Sequence, residues 1–203
     1  VARSGAGKLD DVEQTDEALC QRVAQGDEAA FDVLVSRYQQ RAWRLAWSIL
    51  RDAEEARDIS QEAFVRLYQT AGSFAGRSKF STWFYRILVN LCLDQRRRRW
   101  WQIMGSNHHQ SATAPAEEPL IERLPAVPYD PTDAVERERA VKQLWAEVDR
   151  LAPQQRAVVV LQVQEELSTR EIASVLRCSE ATVRVHLHRA LGTLRKRMGK
   201  AER

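Results

Sequence analysis

The chain is poor in the residues that usually carry catalysis or bind metal. Its 203 residues include only three cysteines, Cys20, Cys92 and Cys178, far apart in sequence. No two of them have zinc or redox spacing, so they read as small apolar residues to be buried in a reducing compartment. Only four histidines occur: His108 and His109 in a polar stretch, His186 and His188 in a basic one. No cysteine–histidine set emerges, and neither a metal site nor a cofactor is expected. The sequence lacks an apolar run long enough to span a bilayer and lacks a signal-peptide core, which points to the cytoplasm without membrane insertion. No segment alternates with period two, so sheets are not expected and the class reads as all-α. Strong excess charge is missing too. Lys and Arg number 31 against 28 Asp and Glu, net +3. A nucleic-acid partner therefore has to be judged from where the charges sit.

Proline is confined: five of the six, Pro115, Pro119, Pro125, Pro128 and Pro131, fall in one acidic stretch. That stretch divides the chain. Residues 1–14 read as a disordered leader and 15–101 as one helical domain. Residues 102–132 read as an extended Pro-rich linker, either a tether or a threaded, ordered segment. Residues 133–203 form a second helical domain. In the first domain Thr15 or Asp16 starts a helix, Gly26-Asp27 interrupts it, and Asp27 recaps. Phe31, Leu34, Val35 and Tyr38 continue, followed by Trp43, Ala46, Trp47 and Leu50. Asp52 is the next N-cap, and Ile59, Ala63, Phe64, Leu67 and Tyr68 make the buried stripe of its helix. After a loop from Ala71 to Lys79, Phe80, Trp83, Phe84, Ile87, Leu88 and Leu91 define a further helix, with Trp83 read as core.

Three stretches carry chemistry. In the first, Glu55, Asp58 and Glu62 share one helical face, with Gln61 beside them. Like charges at such spacing cost roughly 0.2–0.5 kcal/mol per pair, so the face either is simply solvated or meets a basic partner. In the second, Arg77, Lys79, Arg86 and the run Arg96, Arg97, Arg98, Arg99 interleave with aromatics, a mixture suited to single-stranded or melted nucleic acid. Asn90 sits where it can read a base edge. The run also suits a helix C-terminal dipole.

In the third stretch, Ser168 and Glu171 form a capping box, Ile172, Ala173 and Leu176 an inner face, and Arg177 to Ser179 a break. Ser179 then caps a helix whose apolar stripe is Val183, Leu187, Ala190, Leu191 and Leu194. Thr182, Arg184, His186, His188, Arg189 and Arg195 lie off that stripe. This is a helix-turn-helix pattern, whose second helix enters a DNA major groove. From the residues alone, a stand-alone helix-turn-helix regulator and a metal-using nucleic-acid enzyme also stand as readings. The first would need a dimerisation element, and the second a coherent ligand spacing.

Taken together, the three stretches resemble a bacterial sigma factor of the extracytoplasmic-function type. Asp58-Ile-Ser-Gln-Glu62 resembles the region that docks on the coiled coil of the polymerase β′ subunit. Lys79-Phe-Ser-Thr-Trp-Phe-Tyr-Arg-Ile-Leu-Val-Asn90, with the arginine run, resembles the region that recognises and melts the minus-ten element. The helix-turn-helix resembles the reader of the minus-thirty-five element. The resemblance implies a non-enzymatic, dissociable specificity subunit of RNA polymerase. Its implied partners are the core enzyme (β′ coiled coil and β subunit), promoter DNA and an anti-sigma factor. Glu55, Asp58, Gln61 and Glu62 are implied to dock on polymerase. Gly72, Ser73, Phe74, Arg77, Lys79, Arg86, Asn90 and Arg96 to Arg99 are implied to bind minus-ten DNA. Ser179, Thr182, Arg184, Val185, His186, His188, Arg189 and Arg195 are implied to bind minus-thirty-five DNA. Val185 and His188 have no fixed base code. Arg86 and Ile87 stand where housekeeping sigma factors carry a paired-tryptophan wedge.

Overall fold

The computed structural model describes residues 14–104, 141 and 143–201. The expected leader (to residue 13) and the linker beyond Met104 lie outside the described residues. Every described element is a helix or a helical turn. The order is α1 (Asp16–Ala24), α2 (Glu28–Leu50), α3 (Ala53–Thr70), a 3₁₀ turn (Ala71–Ser73), α4 (Phe80–Met104), α5 (143–148), α6 (Pro153–Val163), α7 (Thr169–Leu176) and α8 (Glu180–Ala201).

Five of the starts are set by side-chain caps, because the first backbone N–H groups of a helix have no internal acceptor, while α6 starts on Pro153 without one. Thr15 accepts from Ala18 N, Asp27 from Ala30 N, Asp52 from Glu54 N and Glu55 N, and Ser179 from Thr182 N. Ser168 and Glu171 cap each other reciprocally at α7. The Ser168 hydroxyl and backbone N–H hold the Glu171 carboxyl below its ordinary range. A lowered carboxylate pKa stabilises above that range and is lost as pH falls through it. Replacing Ser168 with alanine is expected to cost about 1 kcal/mol, seen as a lower urea midpoint at unchanged slope. An unchanged midpoint would show that the box contributes nothing.

Helices α1 to α4 pack around Leu34, Leu45, Ile49, Leu67, Phe80, Phe84 and Leu88, all fully buried. Tyr38 meets Phe80 and Phe84 edge-on at 5.2 and 5.6 Å. Residues 28–50 form one continuous helix. Tyr68, expected in the buried stripe, is exposed with its ring edge-on to Phe31 at 5.2 Å. Leu191 is exposed as well, and Val175 takes the buried place on α7 that its spacing gave to Leu176. Cys20 and Cys92 are buried as expected, and burial pushes their thiols up to about 11 and about 12. Cys178 is half-buried.

The C-terminal helices fold back on the N-terminal ones. Helix α7 packs along α4, and α6 packs on α2 and α4. Val158, Val160, Leu161, Ile172 and Val175 join the same continuous core as Leu45, Phe84 and Leu88. A smaller cluster of Val148, Leu151, Val159, Ala190 and Leu194 ties α8 to α5 and α6.

Candidate nucleic-acid interface

Helix α3 presents the carboxylate face expected from its spacing. Asp58 and Gln61 are exposed, while Ala56, Ser60, Ala63, Phe64 and Leu67 fill the opposite, buried side. Glu62 is paired with Arg66 one turn on, at 2.9 Å. Glu55 is turned aside from this face: Arg99 of α4 reaches it at 3.4 Å and Asp52 at 3.9 Å. Two residues expected on different surfaces, Glu55 and Arg99, thus hold α3 and α4 together.

The arginine run is likewise divided by geometry. It does not end its helix, since α4 continues to Met104. The dipole it serves belongs to α2: Arg96 donates to the carbonyls of Ile49 and Leu50, at 3.3 and 3.4 Å, in the last turn of that helix. Arg97 pairs with Asp94 at 3.0 Å. Arg97, Arg98 and Arg99 are exposed, followed by the exposed pair Trp100 and Trp101, edge to face at 5.0 Å.

The loop between α3 and α4 keeps Gly72, Ser73, Arg77 and Lys79 exposed, while Phe74 is half-buried against Trp83 at 5.4 Å. Gly76 has φ +65 with open space around it, so the loop turns through a conformation that other residues rarely adopt. Trp83, read as core, is half-buried against that core and also lines an open cleft. That cleft, about 1100 Å³, is walled on one side by Arg66, Thr70, Ser73, Trp83, Arg86, Asn90, Arg96, Arg97 and Trp100. Its other side is Ala152, Pro153, Gln154, Gln155, Arg177, His186 and Arg189. Asp94 is the acidic group among its lining residues. An excess of cations over carboxylates with aromatic walls is the electrostatic and stacking character of a nucleic-acid surface.

On α8, Ser179, Thr182, Arg184, His188, Arg189 and Arg195 are exposed, and Val185 is half-buried. Arg184 pairs with Glu180 at 3.2 Å. His186 departs from its expected outward position. It is half-buried in the cleft, and its Nδ1 has no hydrogen-bond partner among the described residues. Burial, then the charge of Arg189, hold its pKa below the ordinary 6.5. The unfolded chain takes up that proton first, so this histidine's contribution is lost as pH falls below 6.5. An NMR titration of the full chain is expected to place the His186 midpoint below 6.5. A midpoint at or above it would contradict the burial.

Arg156 went unread in the sequence. It is buried in α6 and donates Nε to Val148 O at 3.3 Å, Nη1 to Ile49 O at 3.0 Å and Nη2 to Leu151 O at 3.3 Å. The available signal was the unbroken apolar stretch Ala157 to Leu161 after it, all buried, which leaves a helix this short little solvated face. Among the described residues no group of His, Cys, Asp and Glu could hold a metal ion. No described helix is long and apolar enough to cross a membrane.

The carboxylate face, basic cleft and helix-turn-helix lie within stretches that match two known family descriptions. Residues 34–102 match Sigma-70 region 2, and residues 142–194 match Sigma-70, region 4. The chain is 33% identical over 179 residues to the ECF RNA polymerase sigma factor SigW of Bacillus subtilis, covering 87% of this chain and 93% of that one. The chain belongs to the extracytoplasmic-function sigma factors. It is also 31% identical to the ECF RNA polymerase sigma-E factor of Escherichia coli, over 87% of this chain and 90% of that one. Its fold is similar to that of CnrH in its complex with the cytosolic domain of CnrY, at a TM-score of 0.63 and 21% identity. That match covers 92% of this chain and 99% of CnrH. As an ECF sigma factor, the chain directs promoter-specific initiation by RNA polymerase, and a regulator working apart from polymerase is not favoured.

Proposed function

We propose that this sigma factor divides its work between two helical units, residues 15–101 and 133–203, joined by the 102–132 linker. The observation that carries the reading is the separation of chemistry on α3 and α4. One face of α3 offers Asp58, Gln61 and Glu62 to solvent, while the cleft side of α3 and α4 offers cations, Asn90 and aromatic rings. The carboxylate face suits the β′ coiled coil of core polymerase. The loop Gly72 to Lys79, with Arg86, Asn90 and the exposed arginines, suits captured minus-ten DNA. Extruding a base costs a few kcal/mol, which loop binding and polymerase contacts must supply.

Helix α8 suits the major groove of the minus-thirty-five element through Thr182, Arg184, His188 and Arg189, with Ser179 and Arg195 toward phosphates. The family's use of anti-sigma factors extends to this chain as an expected partner. The RpoE sigma factor of Bartonella quintana, similar in fold, was solved with the anti-sigma factor NepR. The cytoplasm is the proposed location.

Within the holoenzyme, Arg189→Ala is expected to cost about 1–3 kcal/mol of binding to promoters carrying the upstream element. Promoters lacking that element should respond little. Equal losses on both templates, or no loss on either, would remove Arg189 from the recognition surface.

A further inference from the structure

The C-terminal end of α4 carries an aromatic pair that the described residues leave open. Trp100 and Trp101 are 48% and 62% exposed, with their rings edge to face at 5.0 Å. One exposed apolar side chain is ordinary, but two adjoining indoles make a patch, and such patches mark contact sites. Neither ring joins the core that α1 to α4 enclose.

Helical spacing settles what surrounds the pair. Trp100 and Trp101 lie three and four residues after Arg97, and Trp101 lies three after Arg98, so the four share one side of α4. The other two arginines of the run face inward. Arg96 reaches the end of α2, and Arg99 reaches the acids at the start of α3. These contacts brace the last turns of α4 and present the indoles on a fixed support. Arg98 is exposed and has no carboxylate partner among the described residues. The Arg97–Asp94 pair is exposed too, and a phosphate can displace so weak a partner. Trp100 also lines the cleft with Trp83, Arg86 and Asn90, so the patch continues the cation-rich side of α4.

We propose that Trp100 and Trp101, with Arg97 and Arg98, hold promoter duplex just upstream of the minus-ten element. This rests on the minus-ten reading of α4 above. Spacing sets the distance. From Asn90 to Trp100, α4 advances about 15 Å at about 1.5 Å per residue, or about four base pairs at about 3.4 Å each. The chain runs on from this end of α4 toward the unit that reads the farther upstream element, so the pair faces the upstream side. DNA there is still paired. The indoles pack on deoxyribose and base edges, and the two guanidinium groups meet the flanking phosphates. Charge favours DNA as the occupant, because the nearby acids Asp52, Glu55 and Asp94 are each already paired with an arginine.

The test uses holoenzyme formed with the full chain and two promoter fragments that lack the minus-thirty-five element. Both carry the minus-ten segment unpaired, with duplex downstream. The short fragment stops at the upstream edge of that segment, and the long one adds about eight base pairs of upstream duplex, twice the distance above. Trp101→Ala is expected to weaken binding of the long fragment by about 10-fold, the effect of returning roughly 60 Å² of apolar surface to water. It should bind the short fragment as wild type does, and Trp101→Phe should recover part of the loss. Because Trp101 is exposed, the urea midpoint of Trp101→Ala should stay at the wild-type value. Arg98→Ala is expected to lower the salt dependence on the long fragment by about one unit of slope.

Equal loss on both fragments, or no loss on either, would overturn the proposal. So would a Trp101→Ala chain that keeps its affinity for the long fragment but loses binding to phosphatidylglycerol vesicles, since the patch would then serve a membrane surface. If wild-type holoenzyme does not prefer the short fragment to one with a scrambled minus-ten segment, the minus-ten reading itself fails and the proposal with it. A preference for the short fragment without any effect of Trp101→Ala on the long one rejects the upstream contact alone.

Discussion

Replacing Arg156 with alanine is expected to destabilise the folded chain by about 2–4 kcal/mol. The guanidinium is buried, and its three donors satisfy the carbonyls of Val148, Ile49 and Leu151. Burial, then the nearby charge of Arg96, lower its pKa to about 10, so it stays protonated at neutral pH. A buried cation is costly to desolvate, and hydrogen bonds to three carbonyls offset that cost. Truncation leaves a cavity and takes a partner from the end of α2 and from the turn before α6. The loss exceeds what any exposed ion pair of the chain can produce. Arg156→Lys keeps the charge but loses the fork, so it should fall between wild type and alanine. Urea unfolding of the three proteins checks this. A loss below about 1 kcal/mol for alanine would mean that water replaces the guanidinium without penalty.

Reversing the charge at Glu62 is the second large effect. Glu62→Arg is expected to weaken association with core polymerase by about 10- to 100-fold while leaving the fold intact. The fold is safe because Glu62 contacts Arg66 on the surface, whereas Ala63, Phe64 and Leu67 make the buried stripe. Two guanidinium groups four residues apart cost the helix only about 0.2–0.5 kcal/mol. The interface cost is larger because a basic docking partner would then face a cation instead of a carboxylate. Binding to minus-ten oligonucleotide should change little. A parallel loss of polymerase and DNA binding would mean that α3 does not separate the two tasks.

Much of this molecule was legible because its helices start on local signals. Thr15, Asp27, Asp52, Ser168 and Ser179 each cap within three residues, and a cap needs no knowledge of the rest of the fold. The helix-turn-helix was legible for the same reason, down to the break at Arg177, whose φ is +53. What could not be read is long-range. Arg156 meets Ile49 across 107 positions, and no period or cap announces such a contact. The arginine run shows the limit within one motif. Its four members look equivalent in sequence, yet Arg96 serves the α2 terminus and Arg99 the α3 acids, while Arg98 remains exposed. His186 was misplaced because helical spacing put it off the apolar stripe of α8, while the side it faces is a cleft shared with residues of α3, α4 and α6. Tyr68 is exposed and Trp83 only half-buried for one reason: an aromatic at core spacing near a surface can lie on either side of the boundary.

The central claim is that one chain grips polymerase with α3 and a promoter with both the α3–α4 cleft and α8. The measurement that meets it most directly is permanganate footprinting of reconstituted complexes on a promoter selected with the wild-type holoenzyme. Unpaired thymines should appear at the minus-ten element only when chain and core polymerase are both present. They should diminish with Glu62→Arg through lost core binding, and with Arg189→Ala through weaker upstream anchoring. Opening by core polymerase without the chain, or sequence-specific promoter binding by the chain that core polymerase neither strengthens nor converts to melting, would contradict it.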